Sequence, residues 1–406
     1  MTPTPLDRAM DRVDAAANAP ATGFDAGPPV APPSETLAPA LSYDGTTGEL
    51  FRLWLKTTLL AILTLGFYRF WGRTRIRRYL WSRLSLLDDR FEYDGTGMEL
   101  FVRFLLVIVV VLLPLGTIGL VLQFAGLPLI WVAVGRYATL LVVFFLSLVG
   151  HYTGQRYRLS RSLWRGIRGG LDGSAWRYGF RALGYAALGS LTLSLIKPWQ
   201  NVGLWRYEAR YTRLGSRYLA FEGRGRDLFK AWLWAVIGGF FAALGTIIGV
   251  LVIVSIATLA IVAATKYAGL STPIVVNSLD VLALAGGVTA VYVIGLLAVS
   301  IVWLAITARF ERNWLVYSVG RTRFGEIGFA LEATTRDVRR LRIGNFLIWL
   351  LTLGLGWPFV AHRTLRFYAR TLRLDTVGIE RLSQSEEPSR PPASGLAELF
   401  DTTGFA

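Results

Sequence analysis

In three segments of the chain, arginines recur at helical spacing among aromatic residues. Arginines three or four positions apart lie on one face of a helix, and a guanidinium can donate two parallel hydrogen bonds to a phosphate. Tryptophan and tyrosine favour the headgroup layer of a bilayer. We therefore predict that these helices bind the phosphates of anionic lipid headgroups. The predicted contact residues are Arg73, Arg75, Arg77, Arg78, Arg206, Arg210, Arg366 and Arg370.

One arginine lies inside an apolar block rather than beside one. Arg136 is near the middle of the block Leu127–Gly150. A charge at that depth in a membrane is costly unless it is paired or hydrated, which makes Arg136 a candidate functional residue. Asp280, at the edge of the last apolar block, is the nearest acidic candidate for a partner. The alternative is that the side chain only extends to the external surface.

The remaining residues that could carry chemistry are few. Neither His151 nor His362 has a second histidine or a carboxylate at the spacing of a metal site, so we predict no metal and no cofactor. The chain has no cysteine, no nucleotide-binding motif and no nucleophile motif, and we predict that it is not an enzyme. Acidic-glycine pairs are interpreted as turns in which glycine takes a positive φ. These pairs begin at Asp44, Asp94, Asp172 and Glu222.

Long apolar blocks must position these side chains. The chain is 53% hydrophobic and 17% charged, whereas a soluble domain has about 25% charged residues. A helix needs roughly 20 apolar residues to cross the hydrocarbon core. The sequence therefore predicts an all-α integral membrane protein with long transmembrane helix pairs. The four blocks are Val107–Gln123, extended by the three apolar residues before it, Leu127–Gly150, Ala231–Thr265 and Leu279–Ala308.

The net charge of +16 is concentrated in five segments. Short cytoplasmic loops collect lysine and arginine, so we predict that these segments and both chain ends are cytoplasmic. The breaks Phe124–Leu127 and Lys266–Ser278 should then be external. Membrane topology explains the charge without nucleic acid, and no recognition module is visible. The basic segments are Arg69–Arg90, Arg156–Arg181, Arg206–Lys230, Arg309–Arg342 and Arg363–Arg381.

An internal repeat organises the chain. Residues 44–101 align without a gap on residues 172–229, an offset of 128, and a partial third copy begins 160 residues after the second. In each copy an apolar hairpin is followed by an Arg-rich interfacial helix. We predict a disordered Pro/Ala-rich tail, two membrane repeat units, a partial unit and a second tail. Their bounds are 1–42, 43–171, 172–331, 332–382 and 383–406.

The apolar stretch inside each copy is short. The three stretches are Leu53–Trp71, Ala182–Trp199 and Phe346–Val360, and a lysine interrupts the first two. If all three crossed the membrane, some Arg-rich segments would lie outside the cell, against the tendency for basic loops to stay inside. We favour a four-crossing topology in which each stretch turns back near Thr64-Leu65-Gly66 or its equivalent. Seven crossings with mixed loop charge are the alternative.

The segment TLGFYRFWGRTRIRRY (Thr64–Tyr79), followed by FEYDGT (Phe91–Thr96), resembles the YjgN-like family of bacterial inner-membrane proteins. The second copy departs from this pattern, with Ser194 in the place of Gly66. The resemblance implies a multi-pass protein of the inner membrane and brings no established activity. We expect a membrane scaffold or an envelope-associated factor that contacts anionic lipids. A transporter or lipid-handling protein is the alternative, because duplicated architecture and broken apolar segments are common in transporters.

Overall fold

A computed structural model describes residues 37–38, 41–267, 278–325 and 327–375. The predicted tails at 1–42 and 383–406 lie almost entirely outside these residues, and so does most of the break Lys266–Ser278. Asp280 lies in a helix, but its side chain is also outside the description.

In the part of the chain that the structure describes, five helical hairpins follow one another. We name them A to E in chain order. Hairpins A, C and E are short, whereas B and D are long. A consists of α1 (Thr47–Leu63) and α2 (Arg69–Ser82), and B of α3 (Gly97–Phe124) and α4 (Leu129–Ser160). C consists of α5 (Ala175–Leu191) and α6 (Lys197–Tyr211), D of α7 (Arg226–Tyr267) and α8 (Ser278–Gly320), and E of α9 (Thr335–Leu351) and α10 (Trp357–Thr371).

Short strands connect the hairpins, and all eleven join one antiparallel sheet. They are β1 (Leu37–Ala38), β2 (Leu41–Tyr43), β3 (Leu84–Leu86), β4 (Asp89–Tyr93), β5 (Ser162–Trp164), β6 (Ile167–Leu171), β7 (Thr212–Leu214), β8 (Arg217–Phe221), β9 (Thr322–Phe324), β10 (Ile327–Leu331) and β11 (Leu372–Asp375). The order across the sheet is β1-β11-β10-β9-β8-β7-β6-β5-β4-β3-β2. The prediction of an all-α protein is therefore wrong, although helices dominate the fold.

The sheet curls into a nearly closed ring, which we call the collar. Its edge strands, β1 and β2, are separated by only two residues along the chain. Three residue steps span at most about 11 Å, so Ala38 and Leu41 must lie close together. The collar interior is apolar: Trp164 is only 1% exposed and packs with Phe324 and Leu374. These residues border a cavity of about 300 Å³.

Four helices in the described residues are long and apolar enough to span a membrane, and they coincide with the four predicted blocks. They are Gly97–Phe124, Leu129–Ser160, Arg226–Ile256 and Thr289–Gly320. At 1.5 Å per residue, α3 is about 42 Å long, which exceeds the roughly 30 Å hydrocarbon core. Helix α1 has 17 residues and reaches only about 26 Å. Within the described residues, only the long hairpins B and D therefore contain helices that are both long and apolar enough to span.

Each short hairpin reverses direction at the predicted residues. Leu65 and Gly66 have φ values of 50° and 93°, and the amide of Gly66 donates to the carbonyl of Ala61 at 2.6 Å. Positive φ values recur at Leu193–Ser194 and at Leu353–Gly354. The predicted turn is confirmed. Because the chain returns to the collar after each turn, the seven-crossing alternative does not fit this structure.

The Arg-rich helix is the second arm of each short hairpin. In hairpin A, a Cβ added at Gly72 would lie 3.0 Å from the Cβ of Thr57. Near the collar, the guanidinium of Arg83 donates to Glu49 at 2.9 Å. These contacts make α1 and α2 antiparallel along their length. The prediction of an apolar hairpin followed by a separate Arg-rich interfacial helix is therefore wrong, since the basic helix itself forms the return arm.

One hydrogen bond recurs in all five hairpin units. The backbone amide of the acidic residue before each hairpin donates to the carbonyl at the end of the same hairpin, over 2.8–3.2 Å. The pairs are Asp44 to Arg83, Asp94 to Arg161, Asp172 to Tyr211, Glu222 to Arg321 and Glu332 to Thr371. The predicted units at 43–171, 172–331 and 332–382 begin at hairpins A, C and E. A superposition of the predicted copies stays a prediction.

The hairpins, like the strands of the collar, close into a ring. Hairpins E and A, from opposite ends of the described chain, are in contact. The indole N–H of Trp54 donates to the carbonyl of Leu355 at 2.7 Å. The Tyr43 hydroxyl lies 2.7 Å from Nδ1 of His362. The last unit therefore packs against the first.

Candidate anion-binding site

The eight arginines predicted to bind lipid have different surroundings. Arg77 is buried and its guanidinium lies 3.4 Å from the Tyr93 hydroxyl. Burial, followed by the charges of Arg69 and Arg77, lowers the pKa of Arg73 to about 10. Arg75 is exposed, and its guanidinium carbon lies 5.7 Å from the Tyr68 ring centre. The stripe on α2 is thus not one exposed surface. Arg366 and Arg370 are exposed on α10.

Two of these arginines hold neighbouring units together. The guanidinium of Arg78 donates to the carbonyl of Gly95, in the turn that opens hairpin B, at 3.2 Å. Arg206 donates in the same way to Gly223 before hairpin D. We call this contact the arginine clasp. It gives Arg78 and Arg206 a protein partner, with which a lipid phosphate would have to compete.

Sequence reasoning missed two further clasp residues. Arg156 donates to the carbonyl of Gly173 before hairpin C. Arg312 donates to Ala333 before hairpin E at 2.9 Å, from a position one turn earlier on its helix. A signal for Arg156 existed, because an Arg-Tyr dipeptide ends the second arm of hairpins A, B and C. No comparable dipeptide marks Arg312.

In hairpins A and C the tyrosine of that dipeptide caps its own hairpin, whereas in hairpin B the Tyr157 hydroxyl donates to Glu99. The Tyr207 hydroxyl accepts from the amide of Ser174 at 2.9 Å and donates to its carbonyl at 2.8 Å. In hairpin E the equivalent residue is Phe367, which has no hydroxyl. There the amide of Thr334 donates to the Asp337 carboxylate at 3.1 Å. Loss of the tyrosine hydroxyl is thus offset by a capping box.

The strongest candidate site is a cleft between α5 and α6, which we call the basic cavity. It has a volume of about 540 Å³. Arg181 faces it from α5, and Arg206 and Arg210 face it from α6, one turn apart. The guanidinium carbon of Arg181 lies 4.8 Å from the ring centre of Tyr207. The complete lining is Arg181, Gly184, Tyr185, Leu188, Gly203, Arg206, Tyr207, Arg210 and Tyr211.

None of the described acidic residues lines the basic cavity, so the charge of its lining favours an anion. The nearby Glu208 bonds elsewhere: the hydroxyl of Tyr178 donates to its carboxylate at 2.8 Å. Burial raises the pKa of Glu208, although Tyr178, Gln155 and Arg158 act in the opposite direction. The cavity also needs a small residue at Gly203, because a Cβ there would overlap the Tyr185 ring.

The acidic turns have structural partners, but the prediction that their glycines take a positive φ is wrong for three of the four. Asp44 pairs with Arg90 at 2.8 Å, and Asp172 pairs with Arg213 at 2.9 Å. Gly173 alone among the four pairs has a positive φ, of 38°. The other three glycines are required by an aromatic ring two residues earlier, which a Cβ would overlap. These ring–glycine pairs are Tyr43–Gly45, Tyr93–Gly95 and Phe221–Gly223.

Arg136 and the histidines lie away from the basic cavity. Arg136 is exposed on α4, two turns after that helix begins. Its predicted pairing with Asp280 stays a prediction. His151 lies 2.9 Å from the amide nitrogen of Gln155, and His362 is buried beside Tyr43. The described part of the chain contains no group of three or more histidine or acidic residues that could hold a metal ion.

Comparisons with known proteins agree with a membrane location. A family model described as a bacterial protein of unknown function, DUF898, matches residues 38–397. Inner membrane protein YjgN of Salmonella typhimurium is 35% identical over 78 residues, which cover 19% of this chain and 20% of that protein. The protein of that name from Escherichia coli K12 is 29% identical over 126 residues, covering 31% and 29%. The matches therefore span under a third of these relatives. No solved structure matches the chain.

Proposed function

This chain belongs to the DUF898 family of bacterial proteins, and from that premise we propose that it is an inner-membrane scaffold or envelope-associated factor that holds anionic phospholipid headgroups. The prediction of a YjgN-like family is confirmed, and the matched relatives are named as inner membrane proteins. Four apolar helices of spanning length support a multi-pass protein. The collar supports a scaffold role, because it fixes five hairpins in one ring.

The basic cavity carries the headgroup part of the proposal. Arg181 and Arg210 are exposed on opposite arms of hairpin C, and no carboxylate lines the space between them. A phosphate placed there accepts charge-assisted hydrogen bonds from both arms. A guanidinium suits this role better than an ammonium, because it can donate two parallel hydrogen bonds to one phosphate. Arg206 adds positive charge while its clasp with Gly223 holds it in place. Near an anionic surface each basic residue contributes about 1 kcal/mol.

Native mass spectrometry of the full-length protein tests this proposal. Wild type should retain phosphatidylglycerol in preference to phosphatidylcholine. The double variant Arg181→Gln/Arg210→Gln should lose at least about tenfold in phosphatidylglycerol affinity, because two charge-assisted hydrogen bonds are removed. The control is Arg52→Gln/Arg226→Gln, which changes two exposed arginines outside the cavity. Equal phosphatidylglycerol retention by both double variants would refute the headgroup role of the cavity.

A lipid-handling protein is the second candidate function. It is favoured by two large cavities that lie near the tips of the short hairpins, away from the collar.

A further inference from the structure

We infer that a cavity at the tip of hairpin C binds the acidic head and the chain of a single-chain acyl amphiphile. This tip cavity has a volume of about 710 Å³, within the range of roughly 300–1,000 Å³ found for small-molecule sites. Hairpins C, D and E all contribute to its lining. It shares only Tyr185 with the basic cavity. The inference therefore does not depend on the proposed headgroup function.

The charged residues that line the tip cavity have an excess of positive charge. Lys197, the first residue of α6, is half-buried and lines the cavity. Arg342 reaches in from α9, where its guanidinium donates to the Thr307 hydroxyl at 2.8 Å and lies 3.8 Å from Glu311. Glu311 offsets one of the two cations. Within the described residues Lys197 forms no ion pair, which leaves it available for an acidic ligand.

Apolar side chains make up much of the remaining lining of the tip cavity. Hairpin D supplies Val236 and Phe240 from α7 and Val299 and Trp303 from α8. Gly239 brings the Trp303 ring against the α7 backbone, because a Cβ at this position would overlap the ring. The cations can thus bind a charged head, while the apolar residues contact an acyl chain. The volume suits one acyl chain with a small carboxylate or phosphate head rather than a two-chain phospholipid.

The equivalent face of hairpin A also borders a cavity. Its volume is about 660 Å³. Arg69 lines it from the first position of α2, as Lys197 does from the first position of α6. Hairpin E has Trp357 at that position. Trp357 also lines the hairpin A cavity, so a cation recurs on the equivalent faces of hairpins A and C but not at every tip that borders a large cavity.

Equilibrium binding to the full-length protein in phosphatidylcholine nanodiscs tests the inference. The probes are radiolabelled oleate, oleoyl lysophosphatidic acid and the neutral monooleoylglycerol. Lys197→Met should weaken binding of the acidic probes by about tenfold and leave the neutral probe unchanged, because it removes charge but keeps the aliphatic stem. Lys197→Arg should retain the acidic probes. A preference for oleate or for the lysophosphatidate identifies the head as carboxylate or phosphate.

Three further variant proteins complete the test. Lys230→Met, at an exposed lysine outside the cavity, should bind all probes like wild type. Ala243→Phe should weaken all three probes, because it fills the cavity without changing its charge. Arg181→Gln/Arg210→Gln should leave oleate binding unchanged, so the headgroup proposal and this inference can fail separately. The inference is wrong if Lys197→Met binds the acidic probes as wild type does, or if Ala243→Phe binds every probe normally.

Discussion

Tyr43, Tyr93 and Phe221 each fold back over the glycine that lies two residues later in the chain. The sequence shows the acidic-glycine pair but not the position of the ring, so a positive φ was the simpler expectation. In hairpin E the residue before the turn is Leu331, and Ala333 replaces glycine. The exchange is consistent with a requirement set by the ring rather than by the backbone.

Gly95→Ala tests that requirement. The new Cβ would lie 2.6 Å from the Tyr93 ring, and we expect a loss of about 1–3 kcal/mol in the free energy of unfolding. The control is Gly48→Ala in α1, where an added Cβ meets nothing within 4 Å. This substitution should stabilise the helix by about 0.5–1 kcal/mol. Thermal unfolding in detergent measures both. Equal Tm values for Gly95→Ala and wild type would contradict the ring explanation.

His362 makes the junction between hairpins E and A sensitive to acid. Burial, and then the charge of Arg366, lower its pKa in the folded protein. The unfolded chain therefore binds this proton more readily. The resulting stability is fully present above the ordinary histidine pKa of about 6.5 and is lost as the pH falls through the lowered value.

We expect the Tm of wild type to fall on acidification below about pH 6.5 more than the Tm of His362→Gln. Thermal unfolding across this range provides the measurement. His151 is present in both proteins, so its titration cancels in the comparison. Parallel Tm curves for the two proteins would show that His362 does not carry the pH dependence.

Among the elements, the helices were easier to predict than the strands. Blocks such as Leu127–Gly150 are long enough to identify from composition alone, and Gly66 marks the tip of hairpin A. Strands β7 (Thr212–Leu214) and β8 (Arg217–Phe221) have three and five residues. Such lengths give almost no alternating pattern, and the arginines around them suggested helix. A usable signal was Gly215, with φ of 61° in the tight turn between them.

The arginine clasp joins one element to the next, and Arg156 tests its strength. Its guanidinium donates to the carbonyls of Leu171, at 2.9 Å, and of Gly173. Arg156→Gln should lower the free energy of unfolding by about 1.5–3 kcal/mol, because charged hydrogen bonds to the next unit are lost. Arg52→Gln, at an exposed position of α1, should stay within about 0.5 kcal/mol of wild type. Equal Tm values for Arg156→Gln and Arg52→Gln would show that the clasp does not contribute to stability.

For the whole molecule, the sequence predicted the membrane-spanning pairs but not the five-unit ring. Arg206 and Arg210 of the basic cavity were among the predicted lipid-contact residues, whereas Arg181 was missed. The predicted copies began at Asp44, Asp172 and Glu332, whereas the turns at Asp94 and Glu222 also open units. Hairpins of unequal length separate these turns by irregular intervals, so no single offset relates all five. Ring closure also depends on contacts between distant residues, such as Tyr43 and His362, that no local pattern reveals.

Single cysteines can test the orientation of the ring, since the wild-type chain has none. Every hairpin starts and ends at the collar, so the collar lies on one side of the membrane. Its arginines favour the cytoplasmic side. On intact cells, an impermeant maleimide should label Leu127→Cys at the tip of hairpin B. Ser216→Cys in the collar and Leu193→Cys at the tip of hairpin C should stay unlabelled. Permeabilised cells, in which Ser216→Cys reacts, are the control. Labelling of Ser216→Cys or Leu193→Cys on intact cells would overturn this orientation.

Five is an odd number, so short and long hairpins cannot alternate all the way around a closed ring. At the closure, hairpins E and A place two short members side by side, as the contact between Trp54 and Leu355 shows. The spanning hairpins B and D are consequently separated by one short hairpin on one flank and by two on the other. We therefore expect bilayer lipids to meet two gaps of unequal width, a narrower one at C and a broader one at E and A. The two sides of the protein thus differ within the membrane plane. A lipid that diffuses in the bilayer would reach the cavities at the tips of hairpins A and C from different directions.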